Sequence, residues 1–288
     1  MDINEVQKNV QSLHFQRGRQ SSVDFALSFS DQAARPFVLR LTGGCADMTT
    51  ADAIGMRNLS DALRGYKGRK QLPQFEGFAL FGGTQMISIH DPKQVVPGIT
   101  EIFPSVAQDL PGLVMLGIVP GFRQLLTSTE PGLVGKNILE FLPKKGVITT
   151  VHPDLRSVLL VEPEPNNENI WDDEWKECVR YIRTLHERNW QSLLVVYNGG
   201  PTSERELLYW ANVGKKDGRW NVLLINDSGR AADRYANDET FLKEHPNVFV
   251  AENDVEDIND KLYKLEALVP CAAENGDNGK VVQLRKAS

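Results

Sequence analysis

Three short apolar runs in this chain each stop at a glycine pair. Phe37-Val38-Leu39-Arg40-Leu41 leads into Thr42-Gly43-Gly44, Phe78-Ala79-Leu80-Phe81 into Gly82-Gly83-Thr84, and Leu193-Leu194-Val195-Val196-Tyr197 into Asn198-Gly199-Gly200. A fourth run, Val222-Leu223-Leu224-Ile225, ends in Asn226-Asp227-Ser228-Gly229-Arg230. Short apolar runs bounded by turn residues read as strands covered on both faces, as in a parallel sheet. Glycine at the end of such a strand admits positive φ and lets the backbone come close to a ligand. Repetition of the pattern predicts an α/β domain with an open, mostly parallel sheet and helices on both faces. It also places a pocket along the carboxyl edge of the sheet, where nucleotides and other phosphate-bearing ligands bind.

The 288 residues are 41% hydrophobic and 24% charged, ordinary globular values that leave room for one large α/β domain or two small ones. With a net charge of -6 and no basic block, nucleic acid is not an expected partner. An acidic chain still binds an anion locally through backbone amides and one placed arginine. Cys45, Cys178 and Cys271 are far apart and form neither a C-x-x-C pair nor a metal spacing, which fits a reducing, cytoplasmic compartment. Residues 1–20 are polar and charged and do not read as a signal peptide. No run of about 18 apolar residues occurs, so no membrane span is expected.

Residues 1–35 read as an N-terminal extension, with a short helix over 6–15 and an alternating edge strand over 23–29. A domain follows over 36–268, and 269–288 reads as a flexible tail. Helices are predicted from the Thr49-Thr50-Ala51-Asp52 cap to about Arg64, after Pro97, over about 170–189, over 204–213, from about Arg230, and over 255–268. The helix over 170–189 places Trp171, Trp175, Val179, Ile182 and Leu185 on one buried face. Further strands are predicted at 113–119, ending in Pro120-Gly121, and at 147–151, 157–162 and 248–251. Residues 122–145, broken by prolines and glycines, read as a long excursion of the kind that forms lids or partner surfaces.

Ser228-Gly229-Arg230 is the most specific local signal, a strand end with an arginine in the first turn of the next helix. Helix N-termini favour anions, and a guanidinium grips a phosphate bidentately. The competing reading is a surface arginine beside an ordinary capping turn. Thr42 and Thr84 carry hydroxyls for phosphate or ribose, or for a turn. Glu206 is a pocket carboxylate on one reading and a residue near a helix start, favoured by the dipole, on the other. His152 follows a strand, and Cys45 follows a glycine pair without an identifiable basic partner. Gly132-Leu133-Val134-Gly135-Lys136-Asn137 fails as a phosphate loop, because Glu130 and Asn137 stand where glycine and a hydroxyl residue are needed. No G-x-G-x-x-G occurs, and no cofactor is expected beyond a nucleotide-type ligand.

Val195-Val196-Tyr197-Asn198-Gly199-Gly200-Pro201 is followed by Leu223-Leu224-Ile225-Asn226-Asp227-Ser228-Gly229-Arg230-Ala231-Ala232-Asp233. Together they resemble the SLOG-type domain at the amino terminus of TRPM ion channels and its prokaryotic relatives, the LSDAT domain. The first two strands with their glycine pairs, Leu116-Gly117-Ile118-Val119-Pro120-Gly121, His152-Pro153-Asp154 and Trp171-Asp172-Asp173-Glu174-Trp175 are similar to further family segments in the same order. The resemblance spans about 36–268. It implies a Rossmann-like fold and a sensor for a nucleotide-derived ligand, such as ADP-ribose or an NAD-derived or cyclic nucleotide signal. It also implies Arg230 as a phosphate contact and a role in prokaryotic defence signalling. No effector module is legible, which leaves a stand-alone sensor, a homo-oligomer or a separately encoded effector partner open.

The expected ligand set is Thr42, Gly43, Gly44, Gly82, Gly83, Thr84, Pro120, Gly121, Gly199, Gly200, Ser228, Gly229 and Arg230. SLOG relatives include cytokinin-activating phosphoribohydrolases, whose Pro-Gly-Gly-x-Gly-Thr-x-x-Glu motif aligns with 198–206. Glu206 matches the glutamate, while Asn198, Thr202 and Ser203 replace proline, glycine and threonine. The alternative is therefore an N-glycosidic hydrolase of nucleoside monophosphates with Glu206 as its catalytic carboxylate.

Overall fold

The computed structural model describes residues 11–16, 20–43, 50–67, 70–90, 95–96, 98–120, 123–124, 137–138, 140–142, 146–152, 154–155, 157–162 and 169–270. Its centre is an eight-stranded sheet. The strands are β1 (Gln11–Gln16), β2 (Phe37–Gly43), β3 (Gly77–Gly82), β4 (Leu113–Pro120), β5 (Ser157–Glu162), β6 (Gln191–Tyr197), β7 (Trp220–Ile225) and β8 (Val248–Ala251). They lie in the order β1-β5-β4-β3-β2-β6-β7-β8, and every neighbouring pair is parallel. From Ser192 to Tyr197, β6 is buried at every position, which explains its continuous apolar sequence.

The helices are α1 (Gln20–Ser30), α2 (Thr50–Arg64), α3 (Ile102–Val106), α4 (Ile170–Glu187), α5 (Pro201–Gly214), α6 (Arg230–Ala236), α7 (Glu239–Glu244) and α8 (Val255–Lys264). One sheet face packs on α2, α3 and α8 through Leu59, Leu63, Phe103, Ile258 and Leu262. The other packs on α1, α4 and α5 through Val23, Leu27, Ile182, Leu185, Leu207 and Trp210. This is an open α/β fold of the Rossmann-like kind, with helices on both faces. Among the described residues no helix is long and apolar enough to cross a membrane.

Strand order fixes where a ligand site belongs. The chain steps from β2 to β3, β4 and β5 on one side, then returns to lay β6, β7 and β8 on the other side of β2. Order reverses between β2 and β6, and the crevice outside the carboxyl ends of open α/β sheets lies at such a switch point. Register brings the glycine-bearing ends level, with Leu41 opposite Phe81 and Gly43 opposite Tyr197.

Several elements depart from the sequence expectation. Residues 23–29 are helical: Val23, Ala26 and Leu27 form a buried stripe at helical spacing, and Phe25 stacks edge-on against Phe29 one turn later. Alternation in Val23, Phe25, Leu27 and Phe29 mimicked a strand because i, i+4 pairs satisfy both periods. Residues 11–15 of the expected helix form, with Gln16, the strand β1, which pairs with the edge of β5; residues 6–10 lie outside the described residues. After Gly83, where no element was expected before Pro97, the chain runs on in strand conformation. It enters a four-stranded antiparallel sheet of Glu140–Leu142, Val147–Val151, Thr84–Ser88 and Val95–Val96. Most of the 122–145 excursion and the tail from 271 onward lie outside the described residues.

Candidate functional site

A cavity of about 280 Å³ opens at the carboxyl edge of β3, β2 and β6. β2 contributes Arg40, Leu41, Thr42 and Gly43, and β3 contributes Gly82. The start of α5 supplies Gly200, Pro201, Thr202, Ser203 and, one turn on, Glu206. Trp171, Glu174 and Trp175 descend from α4, Thr84, Met86 and Thr149 from the antiparallel sheet, and Ile99 and Thr100 from the turn before α3. Arg230 closes the side next to Gly200.

Of the predicted ligand residues, Thr42, Gly43, Gly82, Thr84, Gly200 and Arg230 line this cavity, as does Glu206. Gly83 does not: a Cβ there would sit 2.8 Å from the Cα of Gly117, so its bareness serves strand-to-strand packing. Pro120 is buried at the end of β4, paired with Val161. Gly199, Ser228 and Gly229 build the turns that carry the lining residues. Gly44, Gly121 and Cys45 lie outside the described residues.

The expected phosphate cradle at the start of α6 is already occupied by protein. The N–H groups of Ser228 and Gly229 both donate to Asp233 Oδ1, at 2.9 Å each. Those of Ala231 and Ala232 donate to the carbonyls of Gly199 and Asn198. The Ser228 hydroxyl serves the fold, donating to Ile225 O at 2.6 Å and accepting from Asn198 N–H at 2.8 Å. It thereby ties the turn after β7 to the turn after β6. Gly229 takes φ 103°, and Arg230 itself takes φ 44°, a backbone region that few residues with a side chain adopt. The Arg230 guanidinium donates through Nε to Asn198 Oδ1 and leans over Gly200, whose missing Cβ would lie 3.4 Å from Nη1.

The open helix start is that of α5. Gly200 is its N-cap and offers no side-chain cap, and Pro201 at the first turn has no N–H to satisfy. Helix N-termini left this way carry unpaired donors and a partial positive charge. Asn169 Nδ2 donates to Thr202 Oγ1 at 3.2 Å and so joins the starts of α4 and α5.

Beneath this rim lies a buried ionic cluster. Arg40 follows Val38 on the strand face that meets α4 and α5. Its Nε donates to Glu206 Oε1 at 2.9 Å and its Nη2 to Glu206 Oε2 at 3.2 Å. The same Nη2 lies 2.9 Å from Glu174 Oε1. Burial alone would lower the Arg40 pKa, but the adjoining carboxylates carry it above the usual arginine value, so the cation is permanent. Burial lifts the Glu174 carboxyl to about 7, with Arg40 pulling it down and Glu206 adding to the lift. Cys178, whose thiol burial also raises, lies 4.0 Å from Glu174 Oε1.

No protein-family model matches the chain, and no curated protein matches it.

Arg40, Glu174 and Thr149 are site residues that the sequence reading passed over. For Arg40 a signal existed: an arginine inside a strand covered on both faces must find buried partners. Glu174 stands at helical spacing from Trp171 and Cys178, so a carboxylate on the apolar face of α4 was also legible. Thr149 had no signal, since its strand belongs to a second sheet that the sequence does not announce.

Proposed function

We propose that this pocket binds a nucleotide-derived ligand and that the protein acts as a sensor or binding domain. One observation carries the reading: at the switch point between β2 and β6, the uncapped start of α5 and the Arg230 guanidinium converge on one cavity. Amides and a guanidinium at one rim hold a phosphate by charge-assisted hydrogen bonds. Trp171, half-buried in the cavity wall, offers a ring face for a base. The volume is at the small end of ligand pockets, roughly 300–1,000 Å³, and suits one nucleoside phosphate unit. The resemblance to SLOG and LSDAT domains points to ADP-ribose, NAD-derived or cyclic nucleotide signals. On that reading the protein works in the cytoplasm, in prokaryotic defence signalling, through a homo-oligomer or a separately encoded effector.

Binding is favoured over hydrolysis because both carboxylate oxygens of Glu206 are engaged by Arg40. Titration calorimetry against AMP, ADP-ribose, cyclic ADP-ribose, NAD and cyclic dinucleotides tests the proposal. Binding of at least one, weakened in Arg230→Ala, supports it. Absence of heat for all of them overturns it. Release of free base from AMP, lost in Glu206→Gln, would replace it with the hydrolase alternative.

A further inference from the structure

The cavity holds unused polar groups as well as an anion rim. Arg40 is 2% exposed, and its Nη1 has no hydrogen-bond partner among the described residues. Thr149 is also 2% exposed, and its Oγ1 likewise has none. Glu174 uses Oε1 for Arg40 and for the Cys178 thiol. No hydrogen bond within the described residues engages its Oε2, which lies against the bare Cα of Gly82, 3.6 Å from where a Cβ would be. A native fold seldom leaves buried donors and acceptors unpaired, and such groups beside a cavity mark where a ligand completes them. Together they present one acceptor, one donor and one hydroxyl. That set matches neighbouring hydroxyls on a sugar ring, each of which donates once and accepts.

We propose that Glu174, with Arg40 and Thr149 from the same cavity lining, reads the pentose hydroxyls of the ligand, while the start of α5 and Arg230 hold its phosphate. The inference rests on the nucleotide reading above and adds which part of the ligand the pocket floor recognises. Glu174 stands beside the end of β3, and Gly200 follows β6, with β2 between them. Two inter-strand spacings make about 10 Å. A pentose phosphate fills that span with a hydrogen bond at each end.

A charge consequence follows. With Arg40 charged and both glutamates ionised, the cluster carries one excess negative charge in a buried place. The charged and titratable groups facing Glu174 are Arg40 from β2, Glu206 from α5 and the Cys178 thiol from its own helix. Without ligand the Glu174 carboxyl, lifted to about 7, is about half protonated at neutral pH. Hydroxyls donating to Oε2 stabilise the carboxylate, so binding releases the proton to solvent.

Calorimetry with AMP and 2′,3′-dideoxy-AMP at pH 7, in two buffers of different ionisation enthalpy, tests this. Both probes carry the same phosphate, so its own titration cancels in the comparison. AMP is expected to bind roughly tenfold or more tightly than the dideoxy compound, the effect of a charged hydrogen bond, and to release about half a proton more. In Glu174→Gln both differences shrink towards zero. Equal affinity and equal proton release for the two probes with wild-type protein would overturn the assignment of Glu174 while leaving the nucleotide reading intact. Failure of every nucleotide to bind would overturn both. The wild-type comparison decides the question even if the variant does not fold.

Discussion

Arg40 grips both carboxylate oxygens of Glu206, at 2.9 and 3.2 Å, although the two residues are 2% and 1% exposed and 166 positions apart in the chain. Breaking such a pair leaves an uncompensated buried charge, which costs about 3–5 kcal/mol. Arg40→Met, which strands Glu174 and Glu206 without their counter-charge, is therefore expected to destabilise the fold by several kcal/mol in urea or guanidinium titrations. A triple replacement of Arg40, Glu174 and Glu206 by apolar residues of similar volume is expected to cost less than that single change.

Glu174 and His186 give opposite pH signatures in one window. The folded Glu174 carboxyl is raised from 4.5 to about 7, so the native state holds the proton more tightly. Its contribution is full below about pH 4.5 and is lost as pH rises towards 7. Burial, then Arg219, lowers His186 from 6.5 to about 4, so its contribution is full above about pH 6.5 and is lost on acidification. Each slope is on the order of 1 kcal/mol per pH unit, and between about pH 4.5 and 6.5 they largely cancel. Glu174→Gln should lose stability on acidification through that window, and His186→Gln should gain it. Denaturation midpoints at half-unit pH intervals would show this, and parallel curves for all three proteins would refute it.

Arg230 is exposed but bonded to Asn198, so Arg230→Ala should cost the fold about 0.5–1.5 kcal/mol, the net worth of one hydrogen bond. Nucleotide affinity should nevertheless fall by roughly 10- to 100-fold, the worth of a charged hydrogen bond. Arg230→Lys should recover only part of it, because an ammonium lacks the two-pronged geometry. Asn198→Ala, which removes the group holding Arg230 Nε, should weaken binding in the same direction.

Trp171→Ala should separate base from phosphate. Loss of a stacking surface costs about 1–3 kcal/mol per base. AMP should bind correspondingly more weakly, while ribose 5-phosphate, which has no base, should be little affected. Equal losses for both ligands would remove the ring from the proposed base site.

Two glycines in the cavity should respond differently to a methyl group. A Cβ on Gly43 would lie 2.4 Å from Tyr197 O, a backbone atom that cannot swing aside. Gly43→Ala is expected to lower stability by about 1–3 kcal/mol, as overpacking does. At Gly82 the nearest atoms are 3.6 Å away, so Gly82→Ala should fold normally and impair ligand binding beside Glu174 instead. Circular dichroism melts and calorimetry on the two variants would distinguish the cases.

Much of the sheet was legible because burial on both faces leaves a mark that local sequence cannot hide. The runs ending at Leu41, Phe81, Tyr197 and Ile225 are strands, and Trp175, Val179, Ile182 and Leu185 of α4 are buried where their spacing placed them. The 23–29 segment was misread because its apolar residues suit two periods, and the choice between them was made by the sheet face waiting beneath α1. The continuation after Gly83 was not legible at all: nothing in Thr84-Gln85-Met86-Ile87-Ser88 announces that its partner is Val147–Val151.

The amino-acid sequence by itself determined the fold class and the edge at which glycines gather, because strand burial and turn chemistry are written in neighbouring residues. Only the tertiary structure decided which of those turns stays open. Asp233 closes the amides of Ser228 and Gly229 from five and four residues away, while the start of α5 is left uncapped. Nor could any local window have assembled Arg40, Glu174 and Glu206, which come from β2, α4 and α5 and meet only when the chain reverses its order at the switch point. A buried charge is tolerable only beside its counter-charge, and that neighbour is supplied by the fold.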